Sequence, residues 1–90
     1  MTYMQNLLTY DVEYTDTFGG EANYCWVRRA SFTGPDDMPQ REVMRKARAL
    51  VGLTGVRGTF ENQYERFALR PYGSHTIMFV TWREPEMVDA

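Results

Sequence analysis

Ninety residues, 43% hydrophobic and 24% charged, suffice for one domain with a single modest core and exclude a disordered chain. No apolar run approaches the roughly 18 residues of a membrane span, and the opening MTYMQNLLTY lacks the basic and apolar regions of a signal peptide. The single cysteine, Cys25, excludes an internal disulfide, so a cytoplasmic setting is expected. The net charge of −2 is uneven: residues 1–40 carry six acids and two bases, and residues 41–58 carry one acid and five bases. A dipolar surface of this kind suits a protein partner better than bare nucleic acid, whose binders show a net basic footprint.

Leu7–Thr15 alternates, with Leu8, Tyr10, Val12 and Tyr14 on one side and Thr9, Asp11 and Glu13 on the other. This predicts a half-buried strand with an acidic outer face. Asp16–Asn23, centred on Gly19-Gly20, predicts the loop of a β-hairpin. The return strand, Tyr24–Phe32, puts Tyr24, Trp26, Ala30 and Phe32 on one side together with Arg28, so a bulge near Arg28-Arg29 is expected. Arg29 is placed to pair across the hairpin with Asp11 or Glu13. Thr33–Asp36 reads as the loop into a helix.

Asp37–Leu53 carries the helix. Val43, Met44, Ala47, Leu50 and Val51 recur at helical spacing and cover an arc of roughly 120°. Asp37 is the expected N-cap, with Gln40 completing a capping box; Pro39 fits the first turn and Gly52 a left-handed C-cap. Arg41, Arg45 and Arg48 fall within about 60° of one another and form a row about 10 Å long. Glu42 and Lys46 form a pair in the favoured order. The arginine row either grips phosphates or carboxylates through planar forks, or is a solvated face whose cations complement the negative helix end.

Beyond the Thr54-Gly55 turn, Val56–Phe60, Arg66–Tyr72 and His75–Trp82 read as strands, with Glu61–Tyr64 and Gly73-Ser74 as turns. Phe67 and Leu69 oppose Arg66, Ala68 and Arg70 across their strand, and Pro71 ends it or places it at an edge. His75–Trp82 is apolar on both faces, as is a central strand or one whose second face meets a partner. The expected fold is a single α+β domain over residues 1–90, in the order β-β-α-β-β-β, with frayed tails at 1–5 and 84–90. A mostly antiparallel sheet of four or five strands carries one helix on one face. The other face is expected to hold Met78, Val80, Trp82 and either Cys25 or Val27, so either the sheet curls on itself or a partner or second copy of the chain covers that face.

The residues offer little chemistry. His75 is the single histidine and adjoins a turn, Cys25 sits in a strand beside Trp26, and neither zinc spacing nor a phosphate loop, dinucleotide fingerprint or nucleophile elbow is present. Asp11 and Glu13 share a strand face roughly 6–7 Å apart, a spacing also found in glycosidases, but exposed acids two apart on a strand are commonplace. No enzyme, cofactor or metal is expected. The expected function is binding, as an inhibitor or adaptor. Tyrosine, tryptophan and arginine dominate interface energetics, which singles out Phe18, Glu21, Tyr24, Trp26, Arg41, Arg45 and Arg48. Phe18 at the hairpin tip either contacts the partner or folds back over the core. The alternative is a nucleic-acid binder in which the arginine row tracks phosphates and sheet aromatics stack bases, with Arg28, Arg29, Arg57, Arg66 and Arg70 in support.

The stretch YDVEYTDTFGGEANYCWVRR, the capped helix and the segment RPYGSHT together resemble small proteins encoded by bacteriophages and prophages. The resemblance covers most of the chain and brings no motif with an assigned chemistry. It implies a bacterial cytoplasm and an inhibitor directed at the host, of which anti-CRISPR proteins are the best-known class.

Overall fold

A computed structural model describes residues 7–17 and 26–84, the side chains of residues 26 and 27 excepted. Most of the expected hairpin loop, the terminal tails, Phe18, Glu21, Tyr24, Cys25 and the side chain of Trp26 therefore lie outside the described residues. Six elements follow one another: β1 (Leu7–Asp16), β2 (Trp26–Pro35), α1 (Gln40–Leu50), β3 (Gly58–Asn62), β4 (Phe67–Pro71) and β5 (Thr76–Arg83). They form one antiparallel sheet in the order β2-β1-β5-β4-β3, with α1 against one face. This is the α+β architecture expected from periodicity, and β5 is its central strand. No described helix is long and apolar enough to cross a membrane.

Opposed residues of an antiparallel pair share a face, so the register decides what the helix covers. Val12 lies opposite Val80, Tyr14 opposite Met78 and Tyr10 opposite Trp82, while Leu69 and Phe67 on β4 meet Met78 and Val80. Val43, Met44, Ala47 and Val51 of the helix segment join Tyr10, Val12, Leu69, Met78 and Val80 in one buried cluster. Full burial of side chains such as Val12 and Val80 stabilises by roughly 1.5–3 kcal/mol each. The expected arrangement of β5 is thereby reversed. Met78, Val80 and Trp82 face the helix, because only that register aligns them with the apolar rows of β1 and β4.

The face away from the helix carries ion pairs. Arg83 Nε donates to Asp11 Oδ2 at 2.8 Å, Arg29 lies 3.6 Å from Glu13, and Arg70 lies 3.7 Å from Glu61. Between them sits a small buried cluster of Ala68, Ile77 and Phe79, with the Arg66 guanidinium 4.1 Å from the Phe79 ring centroid. The expected Met78, Val80 and Trp82 are therefore not on this face, where Ala68, Ile77 and Phe79 stand in their place.

The expected bulge is present but displaced. The β1–β2 register shifts between Tyr14 and Thr15, where Tyr14 faces Arg28 and Thr15 faces Trp26. Val27 is the extra residue, so Arg28, Ala30 and Phe32 all face the helix side. β2 also runs on through Thr33 and Gly34 to Pro35, residues expected to form a loop. Proline tolerates this position because β2 is an edge strand that ends there.

Helix capping differs from expectation at the N-terminus and agrees at the C-terminus. Met38 N–H donates to the Pro35 carbonyl at 3.2 Å, which places Asp36 and Asp37 in a turn, and Pro39 becomes the N-cap with no side-chain cap bond. Asp37 is thus too early to cap, and the capping box with Gln40 does not form. At the other end, Leu53 N–H donates to the Arg48 carbonyl at 2.7 Å and Gly52 N–H to the Ala49 carbonyl at 3.5 Å, with Gly52 at φ +77°. These two bonds and the left-handed glycine make a Schellman cap. Leu50, expected in the buried arc, is 45% exposed because it lies at the margin of that arc.

A candidate arginine groove between helix and sheet edge

The helix lies towards one end of a five-stranded sheet and leaves a groove beside β3 and β4. The groove has a volume of about 460 Å³ and is lined by Gln40, Arg41, Met44, Arg48, Arg57, Gly58, Phe60, Leu69 and Tyr72. Each contribution follows from local spacing. Gln40, Met44 and Arg48 recur every fourth residue along one side of α1, and Arg41 flanks them. Gly58 and Phe60, two apart on β3, face the helix side, as does Leu69 opposite Phe60.

Arg57 arrives by a chain reversal. After the Schellman cap, Val56 N–H donates to the Leu53 carbonyl at 3.0 Å, and Gly55 takes φ +79°. Arg48 Nη1 donates to the Val56 carbonyl at 3.4 Å, and the Arg57 carbonyl accepts from Tyr72 N–H at 3.0 Å. The segment therefore returns alongside the last helical turn and sets Arg57 beside the turn that follows β4. The Phe60 ring that lines the groove packs on Phe67, and Phe67 on Trp82, in a row across three strands with centroids 5.6 and 4.8 Å apart. Tilted contacts of this sort hold aromatic floors in place.

The electrostatics of the groove are one-sided: among the described residues, three guanidinium groups line it and no carboxylate does. Elsewhere the arginines are engaged: Arg29, Arg70 and Arg83 in the ion pairs described, Arg66 through Gln63 and Phe79, and Arg28 through the Val51 carbonyl. The side chains of Arg41 and Arg57 make no ion pair or hydrogen bond among the described residues. A groove with spare cationic donors over an apolar floor can hold a carboxylate or phosphate through paired N–H bonds while packing an adjoining apolar group.

The structure divides the expected arginine row. Arg41 and Arg48 line the groove. Arg45 does not, because its Nη2 donates to Glu42 Oε1 at 3.2 Å on the solvent side. Glu42 is therefore paired with Arg45 and not with the expected Lys46. The split follows from the wheel: Arg48 lies about 40° from Met44, whereas Arg45 lies about 100° away, pointing out. Gln40, Met44, Phe60, Leu69 and Tyr72 were not legible as site residues, and Arg57 was legible only as a scattered cation. The signal for Arg57 was the pair Gly52 and Gly55, two turn glycines spaced to reverse the chain within one helical turn. Asp11 and Glu13, the spaced carboxylates of β1, are each held in an ion pair with a different arginine.

Compared with known proteins, the chain matches no family model, no characterised protein and no solved structure.

Proposed function

We propose that this is a non-enzymatic binding protein that acts as an inhibitor or adaptor on a partner protein, held at the arginine groove. The observation that carries the reading is that, among the described residues, Arg41 and Arg57 are unpaired and stand with Arg48 over an apolar floor that no carboxylate lines. Unpaired guanidinium groups beside buried apolar surface are the raw material of a binding hot spot. The two half-buried carboxylates that could suggest catalysis, Asp11 and Glu13, are each paired with an arginine instead. Resemblance to phage-encoded proteins makes the bacterial cytoplasm the setting and a host protein or complex, such as a CRISPR effector, the target.

A second reading draws on Phe60 and Tyr72 within the groove, since Tyr72 is 69% exposed and offers a ring for base stacking beside arginines. The net charge of −2 weighs against it. The test is capture of partners from bacterial lysate on immobilised protein, with and without nuclease, using the parent, Arg41→Glu with Arg57→Glu, and Arg45→Glu. A stoichiometric partner protein that survives nuclease, is lost in the groove double variant and is kept by Arg45→Glu supports the proposal. Loss of all bound material on nuclease treatment replaces it with the nucleic-acid reading. Equal loss in Arg45→Glu moves the contact to the solvent face of the helix.

A further inference from the structure

We infer that the partner enters the groove as an extended acidic segment that adds a sixth strand to the outer edge of β3. The inference rests on the protein-binding reading and names the chemistry of the contact. β3 is the last strand in the sheet order, and among the described residues it pairs only with β4. Its sequence, GTFEN, has no proline, so among the described residues its outer N–H and C=O groups stand as a template for another strand.

The arginine groove opens at this same edge, which is what gives the template a preference. A strand laid against β3 alternates its side chains between the two sheet faces. On the helix side they fall beside Gly58 and Phe60, next to Arg41, Arg48 and Arg57. On the opposite side they fall beside Thr59 and Glu61, and Glu61 is already paired with Arg70. The complementary segment therefore carries Asp or Glu at every second position, with uncharged residues between, over about six residues or roughly 20 Å. Main-chain bonds to β3 hold it, and the alternating acids read the arginines.

The other sheet edge lacks this combination. β2 ends at Pro35, carries the Val27 bulge, and its arginines are engaged with Glu13 and the Val51 carbonyl. A nucleic-acid strand supplies phosphates for the arginines but no amide ladder for β3, so it would use half of the site.

The test uses the full chain labelled with ¹⁵N and three probes: a blocked peptide of about seven residues alternating glutamate and threonine, long enough to span β3 at ~3.3 Å per residue; its glutamine counterpart; and an oligo-dT of similar charge. The expected result is that the glutamate peptide slows exchange of the outward-pointing β3 amides about tenfold or more. It should also bind about tenfold or more tightly than the glutamine peptide, the discrimination that one charge-assisted bond gives. Arg41→Glu with Arg57→Glu, its fold checked by its amide spectrum, should remove that advantage. Equal binding of the two peptides, unchanged β3 exchange, perturbation at β2, or tighter binding of oligo-dT would each overturn the inference. Concentration-dependent self-association mapped to β3 by sedimentation and exchange would overturn it too, by assigning the edge to a second copy. If lysate capture still yields a nuclease-resistant partner that depends on Arg41 and Arg57, only strand addition falls. If the peptide binds as expected and capture fails, the contact chemistry stands and the partner class falls.

Discussion

Arg28, the third residue of β2, donates from Nη1 to the Val51 carbonyl at 3.1 Å, so a side chain from the sheet closes the C-terminal end of α1. The same guanidinium lies against Gly52, where an added Cβ would sit 2.7 Å from Nη1. A cation at the last exposed carbonyls of a helix completes its bonding and meets the negative end of its dipole. Sheet, helix cap and the loop that carries Arg57 are thereby joined at one point.

Loss of this contact is the first expectation. Arg28→Met, which keeps the apolar stem, should destabilise by about 1 kcal/mol and lower Tm by roughly 4–8 °C. Gly52→Ala should cost about 1–2 kcal/mol through its left-handed backbone alone, and less when combined with Arg28→Met, where the Nη1 clash is relieved. Thermal unfolding of the four proteins in a double-mutant cycle measures the coupling; strict additivity would show that the two residues do not touch in solution.

Tyr64, at the tip of the β3–β4 hairpin, sits at φ 66° and is 92% exposed. Its N–H donates to Asn62 Oδ1 at 3.0 Å, while the ring packs on nothing that would offset a left-handed backbone. Tyr64→Gly should therefore stabilise by about 0.5 kcal/mol, the strain relieved exceeding the entropy that glycine adds to the unfolded chain. Tyr64→Val should destabilise by at least as much. Urea midpoints at constant m value decide it.

Tyr10 is buried, stacks on Phe32 with ring centroids 5.0 Å apart, and donates to the Pro35 carbonyl at 2.7 Å. Burial, and then the nearby charges of Asp36 and Asp37, push its pKa above the ordinary tyrosine value. The raised folded-state value means that the native protein holds the phenolic proton more tightly than the unfolded chain. This contribution is fully present below about pH 10, the unfolded value, and is lost as pH rises through the folded one. Tyr10→Phe should lower stability at neutral pH by about 1 kcal/mol for the lost hydrogen bond and flatten the alkaline fall. A Tyr10→Phe curve as steep as the parent's above pH 10 would assign the fall to other groups.

Gly58 faces Pro71 across the β3–β4 ladder, and a Cβ there would meet the Arg70 carbonyl oxygen and come within 2.8 Å of Pro71 Cα. These neighbours are backbone and cannot swing aside. Gly58→Ala should cost about 1–3 kcal/mol as an overpacking change and act locally. Amide exchange should show β3 losing protection before β1 and β5 do.

Periodicity and punctuation alone determined much of this protein. The alternation of Leu8 to Tyr14 defined β1, the spacing of Val43, Met44, Ala47 and Val51 defined the helix, and Gly52 its end. These are local effects of backbone geometry, and the residues that carry them lie within a few positions of one another. That Arg29 pairs across the hairpin with an acid of β1 was legible too, because a hairpin brings its two strands together; that the acid is Glu13 and not Asp11 was not.

Register and long-range closure were decided only by the tertiary structure. Nothing in His75–Trp82 says which of its two apolar faces meets the helix, since Ile77 and Phe79 are as hydrophobic as Met78 and Val80. That choice was made by β1 and β4, whose larger apolar rows lie on the side of Met78 and Val80. Likewise, Arg41, Arg45 and Arg48 look alike on a helical wheel, yet Glu42 holds Arg45 in solvent while Arg41 and Arg48 turn to the groove. Arg57 and Tyr72 reach that groove through two chain reversals, and Phe60 and Leu69 through a strand pairing. A site assembled from four segments has no signature in any one of them. It exists because the chain closes on itself, and closure is a property of the whole fold.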